Sequence, residues 1–395
     1  DFAVTTGNVS FATEAKMSSG DAMTARVGTG NVTFADKAEM TAVKSLNFAV
    51  TTGNVAYATE AKLTSGDAMS VTVGAGNVDF ASKAEMTAAK TLDFAVTTGN
   101  VSFATEAKMS SGDAMTARVG TGNVSFADKA EMTAVKSLAL DVTTGNVTLS
   151  SQAKLTSGDA MTVSVGTGDI LLDHALSSAD KRMQWTVGAG DVLLTASTVA
   201  NGSDSMRWQI GGDVTLEQAS VLTLKGITDV SLKGDFTLRE NSSVSSVGRW
   251  SLAALGNVEV NDTSVWAVQG VQNLLAGQNF QLHSQASVTV TGSMLGAVGG
   301  DVLLPDQTQW QVSQALSLAA RGSVLLRDSA LVTAQTLQWD VSGQMRLQDQ
   351  ANLRAGQNAD LGVGRVWTLT AGDQVLASDA GMASHVVRMA SWPAT

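Results

Sequence analysis

The residues able to do chemistry are few and scattered. The histidines are His174, His283 and His385, more than 100 residues apart and at different repeat positions. A metal centre needs its ligands converging on one point, so no shared site is expected. Two local pairs stand out, Asp173 beside His174 and Arg239 beside Glu240. Neither is joined by a third group, and both read as isolated surface charge. No Ser–His–Asp set, Walker loop, HExxH or dinucleotide fingerprint occurs. The segments GTGNV and GAGNV look like phosphate loops, but they recur along the chain and lead into strand patterns, so they are turns. Solenoid glycosidases focus carboxylates in one cleft. Here nearly every acid of residues 1–161 belongs to a repeat, which spreads the groups apart. The expectation is therefore a non-enzyme, with no catalytic residue, no cofactor and no metal.

The repeat explains the scatter. FAVTTGNV begins at Phe2, Phe48 and Phe94, a 46-residue period, and residues 2–46 and 94–138 differ only at Thr33 against Ser125. Each 46 divides into two 23-residue halves marked by Gly-Asn-Val, at Gly7, Gly30, Gly53, Gly76, Gly99, Gly122 and Gly145. The series continues through Gly168, Gly190, Gly212, Gly234, Gly256, Gly277, Gly300, Gly322, Gly343 and Gly364 at 21–23 spacing. So short a period without a 3.6-residue pattern predicts an all-β chain. The fold expected is a right-handed parallel β-helix, or β-solenoid, of about 17 coils with three short strands each. At roughly 4.8 Å per coil it would be about 80 Å long.

Columns of the repeat divide into core and surface. Val9, Val32 and Val55 alternate with polar residues and with Phe11, Phe34 and Tyr57, the period-2 signature of a half-buried strand. Met17, Met40 and Met23 belong to further core columns, where methionine is filler. Three exposed columns alternate in sign from coil to coil. Seven after the marker come Glu14, Lys37, Glu60 and Lys83; nine after it, Lys16, Glu39, Lys62 and Glu85; fourteen after it, Asp21, Lys44, Asp67 and Lys90. Opposite charges stacked at strand spacing should attract, and a one-coil slip would set like on like. On this reading one core repeats while the surface alternates. Asn8, Asn31, Asn54 and Asn77 form a turn column expected to pair amide to amide along the stack. The column turns acidic at Asp169, Asp191, Asp213 and Asp235, which should face water or attract a cation.

Composition sets the outer limits. The net charge of −11 argues against nucleic acid as a partner. Cysteine is absent, which excludes disulfides and thiol chemistry. No apolar run reaches the roughly 18 residues of a membrane span. The opening on Asp1 in mid-repeat reads as a piece of a longer protein or a processed form. Residues 1–161 are near-perfect repeats, 162–364 degenerate coils, and 365–395 a last coil, cap or linker. Tryptophan first appears at Trp185, and the eight indoles do not recur in one column of the linear repeat. They read as core or edge fillers, with any exposed ones able to stack on sugars.

The coil starts Gly-Asn-Val-x-Phe at Gly99–Phe103 and Gly-Asp-Val-x-Leu at Gly190–Leu194 resemble the shafts of filamentous-haemagglutinin-like adhesins and other giant repetitive bacterial surface proteins. The resemblance implies export, display at the bacterial surface and adhesive or biofilm roles. The expected function is a structural shaft of a secreted adhesin or extracellular fibre. Its partners would be neighbouring coils, copies of the same protein, and host or matrix glycans. A glycan-binding or glycan-degrading solenoid and a self-assembling filament or sheath subunit are the alternatives.

Overall fold

The protein is described here by a computed structural model covering residues 1–201, 203–369 and 374–377. Among the described residues every regular element is a strand, and parallel strands stack as a β-solenoid of about 17 turns. The chain forms two compact units, Asp1–Ser203 and Asp204–Thr395.

In the first unit a coil has a seven-residue strand such as Met23–Thr29, a three-residue strand, Val32–Phe34, and a four-residue strand, Glu39–Ala42. Each pairs in parallel with its counterpart 23 residues on, as in Val27↔Val50, Val32↔Val55 and Met40↔Leu63. Alternation decides the facing. Met23, Ala25 and Val27 are buried, while Thr24 and Arg26 between them are not. Phe11, Phe34, Tyr57, Phe80, Phe103 and Phe126 lie in one column as a run of stacked rings, centroids 4.5–4.8 Å apart and tilted by 2–11°. That separation matches the strand spacing, so the ladder brings the rings into contact without distorting the strands.

The interior also alternates, which corrects the expectation of one repeated core. One column runs Ala25, Phe48, Val71, Phe94, Ala117. Phe48 and Phe94 tilt against the ring stack, at 6.1 Å from Phe34 and 6.4 Å from Phe80. The smaller residues between them leave room for those rings. A second column runs Ala42, Ser65, Ala88, Ser111, Ala134, Ser157. The buried Ser65 hydroxyl lies 2.7 Å from the Lys44 carbonyl and 2.9 Å from that of Ala68, tying down a corner that the alanine coils turn without it.

The corners carry the backbone strain. Gly30 closes the first with φ +148°, and a Cβ there would run into the Gly7 carbonyl of the coil before. At the second corner the left-handed residue is not glycine: Glu14, Lys37, Glu60, Lys83, Glu106 and Lys129 have φ between 55° and 60°. At the third, Gly66 meets the Val43 carbonyl so closely that a Cβ would collide with it.

The second unit keeps the coil and shifts its glycines. Left-handed glycine moves to the third corner, at Gly226, Gly248 and Gly270, and the second corner takes paired left-handed residues such as Glu240–Asn241. Where Ser313-Gln314 replace Thr291-Gly292, that corner opens. Gln309–Ala320, Leu331–Val341 and Asn352–Val363 run as single strands, with a register shift between Val312 and Ala315. Three strands per coil thus become two here, and the corner is spanned by extended backbone even where a glycine, Gly356, lies in it.

Six of the tryptophans are core, and Trp367 is half-buried. Trp185, Trp208, Trp250, Trp266, Trp310 and Trp339 are at most 1% exposed. Coil register corrects their scatter. Trp266 and Trp310 share a column with Val288 between them, and Trp208 and Trp339 share another. Spacing that drifts between 21 and 23 hides both columns in the linear chain. Trp392, His385 and the expected end segment beyond Ala377 lie outside the described residues.

Candidate functional site: the exposed ladders

The asparagine column is a hydrogen-bond ladder of a different kind from the one expected. Asn8 Oδ1 accepts the backbone N–H of Asn31 at 2.9 Å, and Asn31 Oδ1 that of Asn54 at 2.9 Å. The pattern continues through Asn77, Asn100, Asn123 and Asn146 at 2.8–2.9 Å. The corrected pairing is side-chain oxygen to backbone N–H. The reason is that the corner N–H points along the stack and needs an acceptor. Amide-to-amide contact occurs at Asn279 Nδ2, 3.1 Å from Asn257 Oδ1.

This geometry explains the acidic run. Asp169 Oδ1 accepts the N–H of Asp191 at 2.9 Å, and Asp213 Oδ1 that of Asp235 at 2.7 Å. Aspartate presents the same Oδ1 as asparagine, so the carboxylates serve as ladder acceptors in its place. Asp301 continues the role to Ser323, whose hydroxyl oxygen then accepts from Gln344. No group of three or more metal-ligating side chains occurs among the described residues.

The charge columns clip coils in twos. Lys16–Glu39 at 3.1 Å and Lys44–Asp21 at 2.8 Å join the coils marked by Gly7 and Gly30. Lys62–Glu85 at 3.1 Å and Lys90–Asp67 at 2.9 Å join the next two. Lys108–Glu131 at 3.6 Å and Lys136–Asp113 at 2.9 Å repeat the arrangement. Glu131 also meets Lys154 at 3.0 Å. Burial alone would raise its carboxyl, but Lys154 and Lys108 outweigh that and hold it below the usual range. The Asp67 hydrogen bond raises the Lys90 ammonium.

The third column departs from expectation. Lys83–Glu106 at 3.9 Å is the pair formed in it among the described residues, and Lys129 turns to its neighbour Asp128 at 3.9 Å. These side chains leave left-handed corners, whereas Lys16, Glu39, Lys62 and Glu85 lie on strands and Asp21, Lys44, Asp67 and Lys90 sit at bends without left-handed backbone. Between this column and the next lies an open groove of about 370 Å³ with Lys83, Glu106, Lys129, Glu85, Lys108 and Glu131 on its walls. Alternating signs there give no single-sign field to draw a charged ligand.

The remaining polar candidates stay apart. His174 Nδ1 lies 2.5 Å from Asp173 Oδ1, exposed at a corner of the first unit. His283 Nε2 lies 3.0 Å from Gln281 Oε1 in the second. Arg239 does not pair with Glu240. Its guanidinium grips Glu217 of the coil before, with Nε at 3.0 Å, and that bond raises its pKa. Neighbours across coils are closer here than neighbours along the corner. Sequence reasoning also missed Arg118–Asp93 at 2.9 Å, whose 25-residue separation, two more than a coil, was the available signal.

A family model for the discoidin-inducing complex, that of its B component, matches residues 71–360, which cover more than half of the chain. The chain belongs to this family. The match takes in the later charge pairs of the first unit and most of the second. The family is named for a component of a complex, and differs from the adhesin shafts that the coil starts resemble. No curated protein and no solved structure matches the chain.

Proposed function

We propose that this family member is a non-catalytic structural solenoid, serving as the shaft of an extracellular or cell-surface assembly. The observation that carries the reading is the use of the exposed columns. The Asn and Asp oxygens accept the next coil's N–H groups, and in two of the three columns the alternating charges pair with the adjacent coil. Groups that an enzyme would aim at a substrate are here engaged with neighbouring coils. The resemblance to haemagglutinin-like shafts adds the expectation of secretion and surface display. The family name, that of a component of a complex, is consistent with work inside an assembly. Partners on this reading are copies of the chain, other components of the assembly, or matrix glycans. The six buried indoles offer no stacking face to sugars, which leaves the half-buried Trp367 and the polar columns for any glycan contact.

Fractionation of native cells with small-angle scattering on the full chain tests the proposal. An elongated particle recovered from the medium or the cell surface is the expected result. A globular scattering profile, or recovery from the cell interior alone, would overturn it.

A further inference from the structure

We infer that the asparagine ladder of the first unit is a site of N-linked glycosylation, with sugar on Nδ2 and the ladder held by Oδ1. Asn8, Asn31, Asn100, Asn123 and Asn146 are each followed two residues on by a hydroxyl, at Ser10, Thr33, Ser102, Ser125 and Thr148. Asn-x-Ser/Thr is the acceptor motif for N-glycosylation. All five asparagines are exposed at a corner, with valine as the middle residue.

The ladder geometry separates the two ends of each amide. Oδ1 of Asn8, Asn31, Asn100, Asn123 and Asn146 accepts the next coil's N–H. Nδ2 makes no hydrogen bond to the protein at these five residues. An N-glycosyl amide keeps its oxygen acceptor, so a sugar on Nδ2 leaves the ladder bond intact. The second unit supplies the contrast. Asn257 and Asn279 use Nδ2 within the ladder, at 3.4 Å and 3.1 Å, and are followed by Glu259 and Gln281, which offer no hydroxyl. Asn54 and Asn77 leave Nδ2 equally unbonded in the ladder but are followed by Ala56 and Asp79, so five of the seven ladder asparagines combine the unbonded nitrogen with the hydroxyl of the acceptor motif.

The step is a glycosyl transfer from a diphosphate-activated sugar donor, lipid-linked or nucleotide-linked. Nδ2 forms a bond to the anomeric carbon, the carbon–oxygen bond to the diphosphate breaks, and the amide loses one proton. Crowding then limits occupancy. Adjacent ladder positions are about 4.8 Å apart, the strand spacing, and a pyranose ring with its hydroxyls is wider than that. Asn8 and Asn31 would therefore not both be filled in one molecule. In the run Asn100, Asn123, Asn146, neighbours exclude each other.

The inference rests on the extracellular reading above, and the test separates the two. Native protein is recovered from medium, surface and interior fractions. Its peptides are analysed by mass spectrometry, intact and after enzymatic release in heavy-oxygen water. The expected result is surface or medium protein with hexose-containing mass at these asparagines, one of each adjacent pair at a time. Donor type is read from the sugars, a preassembled oligosaccharide from lipid or single hexoses from nucleotide. Ser125→Ala should abolish modification at Asn123 and leave the thermal midpoint of the deglycosylated chain unchanged. Surface protein unmodified at all five positions would overturn the inference and leave the shaft reading standing. Interior protein without sugar would overturn both. Simultaneous full occupancy of Asn100 and Asn123 would overturn the one-side-chain-per-pair geometry.

Discussion

Asn100 Oδ1 accepts the backbone N–H of Asn123 at 2.8 Å, and this contact, repeated coil after coil, ties each first corner to the next. The acceptor is the side-chain oxygen, so the nitrogen of the amide is dispensable to it. Asn100→Asp should leave stability nearly unchanged. Asn100→Leu should cost about 1 kcal/mol, the usual net value of a lost hydrogen bond at a site that water still reaches. Urea midpoints of the two variants check this. Equal losses from both would contradict the oxygen-only role.

Tyr57 is the one hydroxyl in a column of phenylalanines. It is fully buried, its Oη has no hydrogen-bond partner, and burial pushes its pKa far up. Tyr57→Phe keeps the ring stack with Phe34 and Phe80 while removing an unsatisfied polar atom. A gain of about 1–3 kcal/mol is expected. A lower melting temperature for the variant would refute it.

Glycine at the third corner is demanded by the coil before it. Gly66→Ala puts a Cβ into the Val43 carbonyl, whereas Gly356→Ala, at the opened corner of the second unit, meets nothing closer than 3.7 Å. The first should lose about 1–3 kcal/mol, as overpacked sites do, and the second should stay within about 0.5 kcal/mol. Denaturation of the two alanine variants side by side reads the difference. A harmless Gly66→Ala would mean that this corner is not tightly stacked.

Glu131 lies between Lys108 and Lys154, which hold its carboxyl below the ordinary 4.5. A depressed folded-state pKa gives stability that is complete above the ordinary value and lost as pH falls through the folded one. Glu131→Gln should therefore lower the melting temperature slightly near neutrality. The gap to the parent chain should close as pH drops below 4.5. Added salt should narrow it too, since the pairs are exposed. A gap that widens on acidification would reverse the assignment.

The solenoid was legible because its signals are local and periodic. Val32, Phe34 and the Gly-Asn corner recur with the coil, and alternation along three residues is enough to face them inward or outward. What escaped the sequence was direction at the atomic scale. Asn8 and Asp169 look like different chemistry as letters, yet their shared Oδ1 does one task. Arg239 adjoins Glu240 in the chain and grips Glu217 because the coil brings residues 22 apart into contact. The tryptophan columns were hidden by the same drift in spacing that obscures the later coils. The buried Ser65 and Phe48 show that alternation reaches the core, where the linear text of a repeat reads as simple similarity.

The 46-residue period is a mechanical unit. Lys16–Glu39 and Lys44–Asp21 close one pair of coils, and the glycine at the third corner of the next pair receives it, Gly66 against Val43. Removing the one coil that carries Gly66 would bring Ala89 and its Cβ against the Val43 carbonyl. Such a gene can lengthen or shorten this region smoothly by whole pairs, and pays for an odd number with a misfitted seam. Residues 2–46 and 94–138, alike but for Thr33 and Ser125, carry the mark expected of copying in pairs.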